Sequence, residues 1–146
     1  MSLNDIDMSG VEEPKDFGAV KACATRIRIK SIERITEGLE AKDYDEYYLV
    51  KTEFVDPTTV EPVDPTTVPS APITRLYTHN KGCLQMLRRF IESHGFGWDE
   101  FVGSTDREGF LQGLVGAEAD VKITLGKTTT GNDRNEIRYP AKAKVA

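Results

Sequence analysis

Residues 125–137 read LGKTTTGNDRNEI, and Gly126-Lys127-Thr128 within them admits two incompatible readings, the end of a phosphate-binding loop or one shoulder of a β-hairpin. A phosphate cradle needs a glycine five residues before the Gly-Lys pair, where the backbone turns to aim its N–H groups at the anion. Val121 stands there instead. Val121, Ile123 and Leu125 alternate as in a strand, residues 136–139 leave with the same period, and Thr, Gly, Asn and Asp fill the space between. That pattern is a hairpin with a polar loop, and the Gly-Lys-Thr is incidental. Lys127 and Arg134 flank the tip, and Pro140 ends the last strand or confines it to an edge.

Upstream of the hairpin the period is helical. Leu84, Leu87, Phe90 and Ile91 recur at three and four residues, Asn80 can cap the start and Gly95 can end the helix in a left-handed turn. Residues 98–102 and 107–116 read as shorter helical turns that pack Trp98, Phe101, Phe110 and Leu111 onto the same core. Before the helix, residues 73–79 (ITRLYTH) form a strand. Residues 56–72 carry five prolines and repeat Asp-Pro-Thr-Thr-Val at a spacing of eight, which excludes helix and central strand and marks an insertion. Residues 47–55 (YYLVKTEFV) are a strand with Tyr48, Val50 and Phe54 inward and Tyr47, Lys51 and Glu53 outward. Residues 22–35 (ACATRIRIKSIERI) alternate with Ile27 and Ile29 on one face and Arg26, Arg28 and Lys30 on the other. The phase slips at Ser31, which predicts a bulge or bend. Residues 1–20 are acidic and poor in large apolar side chains, and read as a flexible arm.

The 146 residues suit one domain, since domains commonly run about 100–200 residues. The division is an arm, 1–20, and a single domain, 21–146, with the proline-rich insertion at 56–72. No apolar run reaches the roughly 18–20 residues that span a bilayer, and the start has no basic region followed by an apolar stretch. A cytoplasmic protein, away from membranes, is therefore expected. Cys23 and Cys83 are too few for a disulfide framework, and without a Cys-x-x-Cys pair the two histidines imply no metal site or cofactor. The net charge of −5 is unevenly spread. Residues 1–20 and 41–70 carry −4 and −5, while 21–40, 71–100 and 101–146 carry +2, +1 and +1. Local potential, not the sum, steers a polyanion.

The order strand, strand, strand, helix, strand, strand, with a bent first strand, is that of a mainly β, five-stranded Greek-key barrel like the oligonucleotide-binding (OB) fold. Its helix lies between strands three and four and its proline-rich insertion between strands two and three. Sequence-independent binding of a single strand needs cations for phosphates and exposed rings for bases. Outward parity supplies Arg26, Arg28 and Lys30 on the first strand, Tyr47 and Lys51 on the second, and Arg75 and Tyr77 on the third. Lys122, Lys127, Arg134 and Arg138 extend the cationic set along the last hairpin. Each of these is also an ordinary solvated strand residue that would protect an edge from aggregation.

Three stretches, LQMLRRFIESHG, LVGAEADVKITL and TGNDRNEIRYP, resemble small phage-encoded single-stranded DNA-binding proteins with the OB fold, found among replication and recombination genes. The resemblance covers the C-terminal half well and the first strands by pattern. It implies a non-enzymatic protein that coats single-stranded DNA, or RNA, in the host cytoplasm, as a dimer or higher oligomer and alongside replication or recombination proteins. The insertion and the basic end AKAKVA depart from that pattern. A structural or adaptor protein docking a partner through the insertion and the acidic arm is the competing expectation. An enzyme is not expected, because no nucleophile and base stand in a recognisable arrangement.

Overall fold

The computed structural model describes residues 3–5 and 17–140; most of the acidic arm and the basic end at 141–146 lie outside these residues. Its elements from residue 17 are β1 (Phe17–Gly18), β2 (Cys23–Ile35), β3 (Tyr47–Phe54), β4 (Val68–Pro69) and β5 (Thr74–Leu76), then α1 (Lys81–Ser93), α2 (Trp98–Val102) and α3 (Arg107–Gln112), and finally β6 (Glu118–Lys127) and β7 (Asp133–Arg138). No helix among the described residues is long and apolar enough to cross a membrane.

Alternation along β2 buries Ile27 and Ile29 and turns Arg26, Arg28 and Lys30 outward. Ile29 pairs with Thr52 but Ser31 pairs with Lys51, so Lys30 is the extra residue of a β-bulge, beyond which parity inverts and Ile32 is buried. The bend lets one strand serve two neighbours, β6 along Cys23 to Arg28 and β3 along Ile27 to Ile35. The resulting antiparallel order is β5-β3-β2-β6-β7. Its outer strands face each other across a narrow opening, where Thr74 Oγ1 and Tyr139 Oη share a hydrogen bond of 2.8 Å. The sheet is thus a five-stranded, nearly closed barrel. Burial raises the Tyr139 phenol to about 12, so it stays neutral and able to hold this seam.

α1 starts where the Asn80 side chain accepts from Cys83 N at 2.8 Å, and it stops at Gly95, whose φ of +85° suits only glycine without strain. Leu87, Phe90 and Ile91 enter the barrel core, whereas Leu84, on the same spacing, sits in the first turn and stays 38% exposed. Phe101 and Leu111 are buried, with Trp98 and Phe110 packed against them.

His94, at the C-terminus of α1, is buried between the rings of Phe90 and Tyr139. Its Nδ1–H donates to Phe90 O at 2.6 Å, and Nε2 has no partner among the described residues. Desolvation lowers its pKa below the usual 6.5 and outweighs the Phe90 carbonyl, which favours the cation. The folded state therefore takes up a proton later than the unfolded chain. Stability should fall as pH drops below about 6.5 towards the depressed folded-state pKa. Urea midpoints between pH 7.5 and 5 should decline more steeply for the native protein than for a His94→Gln variant; parallel declines would refute the assignment.

The insertion folds as a duplicate of itself. Asp56 Oδ1 accepts from Thr58 N and Thr58 Oγ1 (3.0 and 2.6 Å), and Asp64 Oδ1 accepts from Thr66 N and Thr66 Oγ1 (2.9 and 2.7 Å). These donors hold both carboxyls below their ordinary range. The segment is then tied to the barrel through β2 and β3. Thr25 and Thr52, both buried, find partners there in Thr59 Oγ1 (2.7 Å) and Pro72 O (3.1 Å). β1 pairs with β4, and Val20 is solvent-free. Residues 17–20, part of the flexible arm in the sequence reading, are therefore held in place, because the insertion offers backbone partners that local composition does not reveal.

Candidate nucleic-acid interface

The outward positions of β3 and β5 form one continuous surface. Leu49 pairs with Arg75, and one step along, the rings of Tyr47 and Tyr77 stand 5.5 Å apart between centroids. Tyr44, from the loop between β2 and β3, joins them at 5.1 Å from Tyr77 and 6.3 Å from Tyr47. His79 lies 4.9 Å from Tyr44 and 6.0 Å from Tyr77. All three tyrosines are half-buried. Their own packing desolvates Tyr77 and, with Tyr44 beside it, raises its pKa. A cavity of about 600 Å³ touches Tyr44 and His79, and a groove of about 510 Å³ along the β5–β7 opening touches Tyr77, Arg75 and Arg134. The ring cluster thus sits between two concavities.

The sequence-predicted cations divide into three groups. Arg75, Lys51 and Lys30 are exposed and form no ion pair among the described residues; Arg75 shares the tyrosines' face of the β3–β5 ladder, while Lys51, paired with Ser31, and Lys30 lie at the bulge, farther along β3. Arg26 and Arg28 are outward as expected, yet they are already engaged. Glu118 accepts from Arg26 Nε at 2.9 Å and from Arg28 Nη2 at 3.0 Å; Asp120 takes Arg26 Nη1 at 3.1 Å and Glu53 takes Arg28 Nη1 at 3.2 Å. Hydrogen bonds from Arg26 and Arg28 lower the pKa of Glu118 and raise their own. Parity along β2 counted the cations but could not show that β6 lays two carboxylates across them.

Of the hairpin cations, Arg134 lines the groove beside Tyr77 and Arg75, but like Lys127 it is already paired. Lys127 pairs with Asp133, and Arg134 with Glu136 at 3.2 Å. Lys122 and Arg138 face each other on β6 and β7, on the far side of β2 from the tyrosines. Tyr44 and His79 were missed as site residues. Tyr44 lies in a polar loop, KDYDE, with no periodicity to orient it, and its only signal was a third tyrosine close to Tyr47. His79 stands beyond the end of a strand shorter than expected: β5 stops at Leu76 because its ladder with β3 ends there and Asn80 turns the chain into α1.

Chemically, the arrangement offers π surfaces near a cation, Arg75, that has no ion pair among the described residues. Comparison with protein-family models, curated proteins and solved structures finds no match for this chain.

Proposed function

We propose that this protein binds single-stranded DNA with little sequence preference across the outer faces of β3 and β5, in the manner of the phage single-stranded DNA-binding proteins that its C-terminal half resembles. On this reading the barrel is of the OB type, with β2, β3, β5, β6 and β7 as its five strands and α1 as the helix between the third and fourth. The observation that carries the proposal is the cluster of Tyr44, Tyr47, Tyr77 and His79 beside Arg75, with Lys51 farther along the outward face of β3. Stacking on such rings contributes about 1–3 kcal/mol per base and tolerates any base, because each has a π face. The cations meet phosphates between stacked bases. Its setting would be replication or recombination of a phage genome in the host cytoplasm, with no cofactor required.

The competing adaptor reading places a partner on the proline-rich insertion. Its backbone is engaged by residues 17–21, and Thr59 and the Pro72 carbonyl by the barrel, which weighs against a free docking segment.

The test is fluorescence anisotropy with a labelled oligo(dT) of ~30 nucleotides, a length that exceeds the site size of a single OB fold, against a duplex competitor. Binding should ignore duplex and weaken with salt. If Arg75, Lys51 and Lys30 each meet one phosphate, log Kd against log salt should have a slope of magnitude about 2. Failure to bind at low salt would refute the proposal.

A further inference from the structure

We propose a second ligand site, on different strands from the aromatic surface: a concavity of about 710 Å³ over β2, β6 and β7 that takes a phosphate-bearing anion of nucleotide size. Lys122 and Arg138 are direct cross-strand partners. Like charges so placed repel and destabilise a sheet. Arg26, which also lines the concavity, and Arg28, Arg34, Lys127 and Arg134 have carboxylate partners. Lys122 and Arg138 have none among the described residues, and α1 brings Arg89, likewise without an ion pair, to the same concavity. The one carboxylate lining it, Asp120, is occupied by Arg26 at 3.1 Å. In a chain of net charge −5, three uncompensated cations from three elements around one concavity form an anion site that the acids leave open.

The shape narrows the ligand. Ala24 and Pro140 add apolar lining, and the volume lies within the ordinary range of small-molecule pockets. Tyr139, the aromatic ring among its described lining residues, is buried, so recognition rests on the phosphate and not on stacking. A free nucleotide and the terminal phosphate of a strand present the same chemistry.

Pyrophosphate and dTMP, titrated separately into the full chain and followed by NMR shifts of the Lys122 and Arg138 amides, should both bind. Lys122→Ala and Arg138→Ala should each weaken binding about tenfold, while a Tyr47→Ala/Tyr77→Ala double variant should bind them as the native protein does. Either single substitution should also raise the thermal midpoint of the ligand-free protein, since it removes the repulsion. A preference for 5′-phosphorylated over 5′-hydroxyl (dT)₄ would identify the strand end as the source, and equal affinity for the two with tighter dTMP binding would identify the free nucleotide. No response to pyrophosphate and dTMP at millimolar concentration, or a response indifferent to both charge removals, would overturn the site. Neither result bears on oligo(dT) binding at the tyrosines, so the two proposals fail separately.

Discussion

Replacing Tyr47 and Tyr77 together with alanine should weaken oligo(dT) binding by about 2–6 kcal/mol, roughly 30-fold to more than 10⁴-fold, because two stacking platforms are removed. The rings, one on β3 and one just past the end of β5, are 5.5 Å apart, and both also touch Tyr44, so single substitutions leave a partial platform. Phenylalanine at both positions keeps the π faces and should bind within a few-fold of the native protein. The arginines sharpen the test. Arg75→Ala removes a cation that lacks an ion pair among the described residues, and should weaken binding and flatten the salt slope by about 0.7. Arg28→Ala removes a cation already held by Glu118 and Glu53, and should change affinity far less. Both tyrosines are half-buried at the surface, so the double variant should remain folded by circular dichroism. A folded double variant that binds oligo(dT) normally would end the single-strand reading.

Asn135→Ala should destabilise the fold by about 3 kcal/mol, since each buried backbone group left without a partner costs about 1–3 kcal/mol. The Asn135 side chain accepts from Val20 N and donates to Val20 O, both at 2.8 Å, and its Nδ2 also donates to Thr124 O at 3.2 Å. Val20 is solvent-free, so neither of its backbone groups gains water while the fold stays intact. Asn135→Asp should be no milder, because it keeps the acceptor for Val20 N but sets lone pairs against two carbonyls. Urea unfolding should show a lower midpoint. Hydrogen exchange should show residues 17–20 and the insertion opening first, as they share the β1–β4 ladder and the Val63 N to Ala19 O bond. Unchanged protection there would mean that the insertion alone holds the arm.

The elements that were legible in the sequence share one property: their signal is local. Alternation in β2 with a slip at Ser31, the three-and-four spacing of α1 between Asn80 and Gly95, and the Thr-Gly-Asn loop between two alternating runs each depend on neighbours a few residues apart. The duplicated Asp-Pro-Thr-Thr is legible for the same reason, as an aspartate that bonds to the second and third residues after it folds alike wherever it occurs.

The candidate site was legible only in part. Side-chain parity fixes which face a residue occupies but not what stands beside it on the next strand. Arg26 and Arg28 read as phosphate contacts until β6 brought Glu118 and Asp120 across, 90 and more residues away in the chain. Tyr44, the ring that completes the aromatic cluster, had no period to place it, and Asn135 gave no sign that it would clamp Val20, 115 residues away. By itself the sequence determined the long strands β2, β3, β6 and β7, the helix, the bulge and the exclusion of a phosphate-binding loop, all through short-range periodicity and turn chemistry. Only the tertiary structure decided which cations remain uncompensated and which rings meet, because charge neutralisation and ring contact depend on strand pairing between residues far apart in the chain.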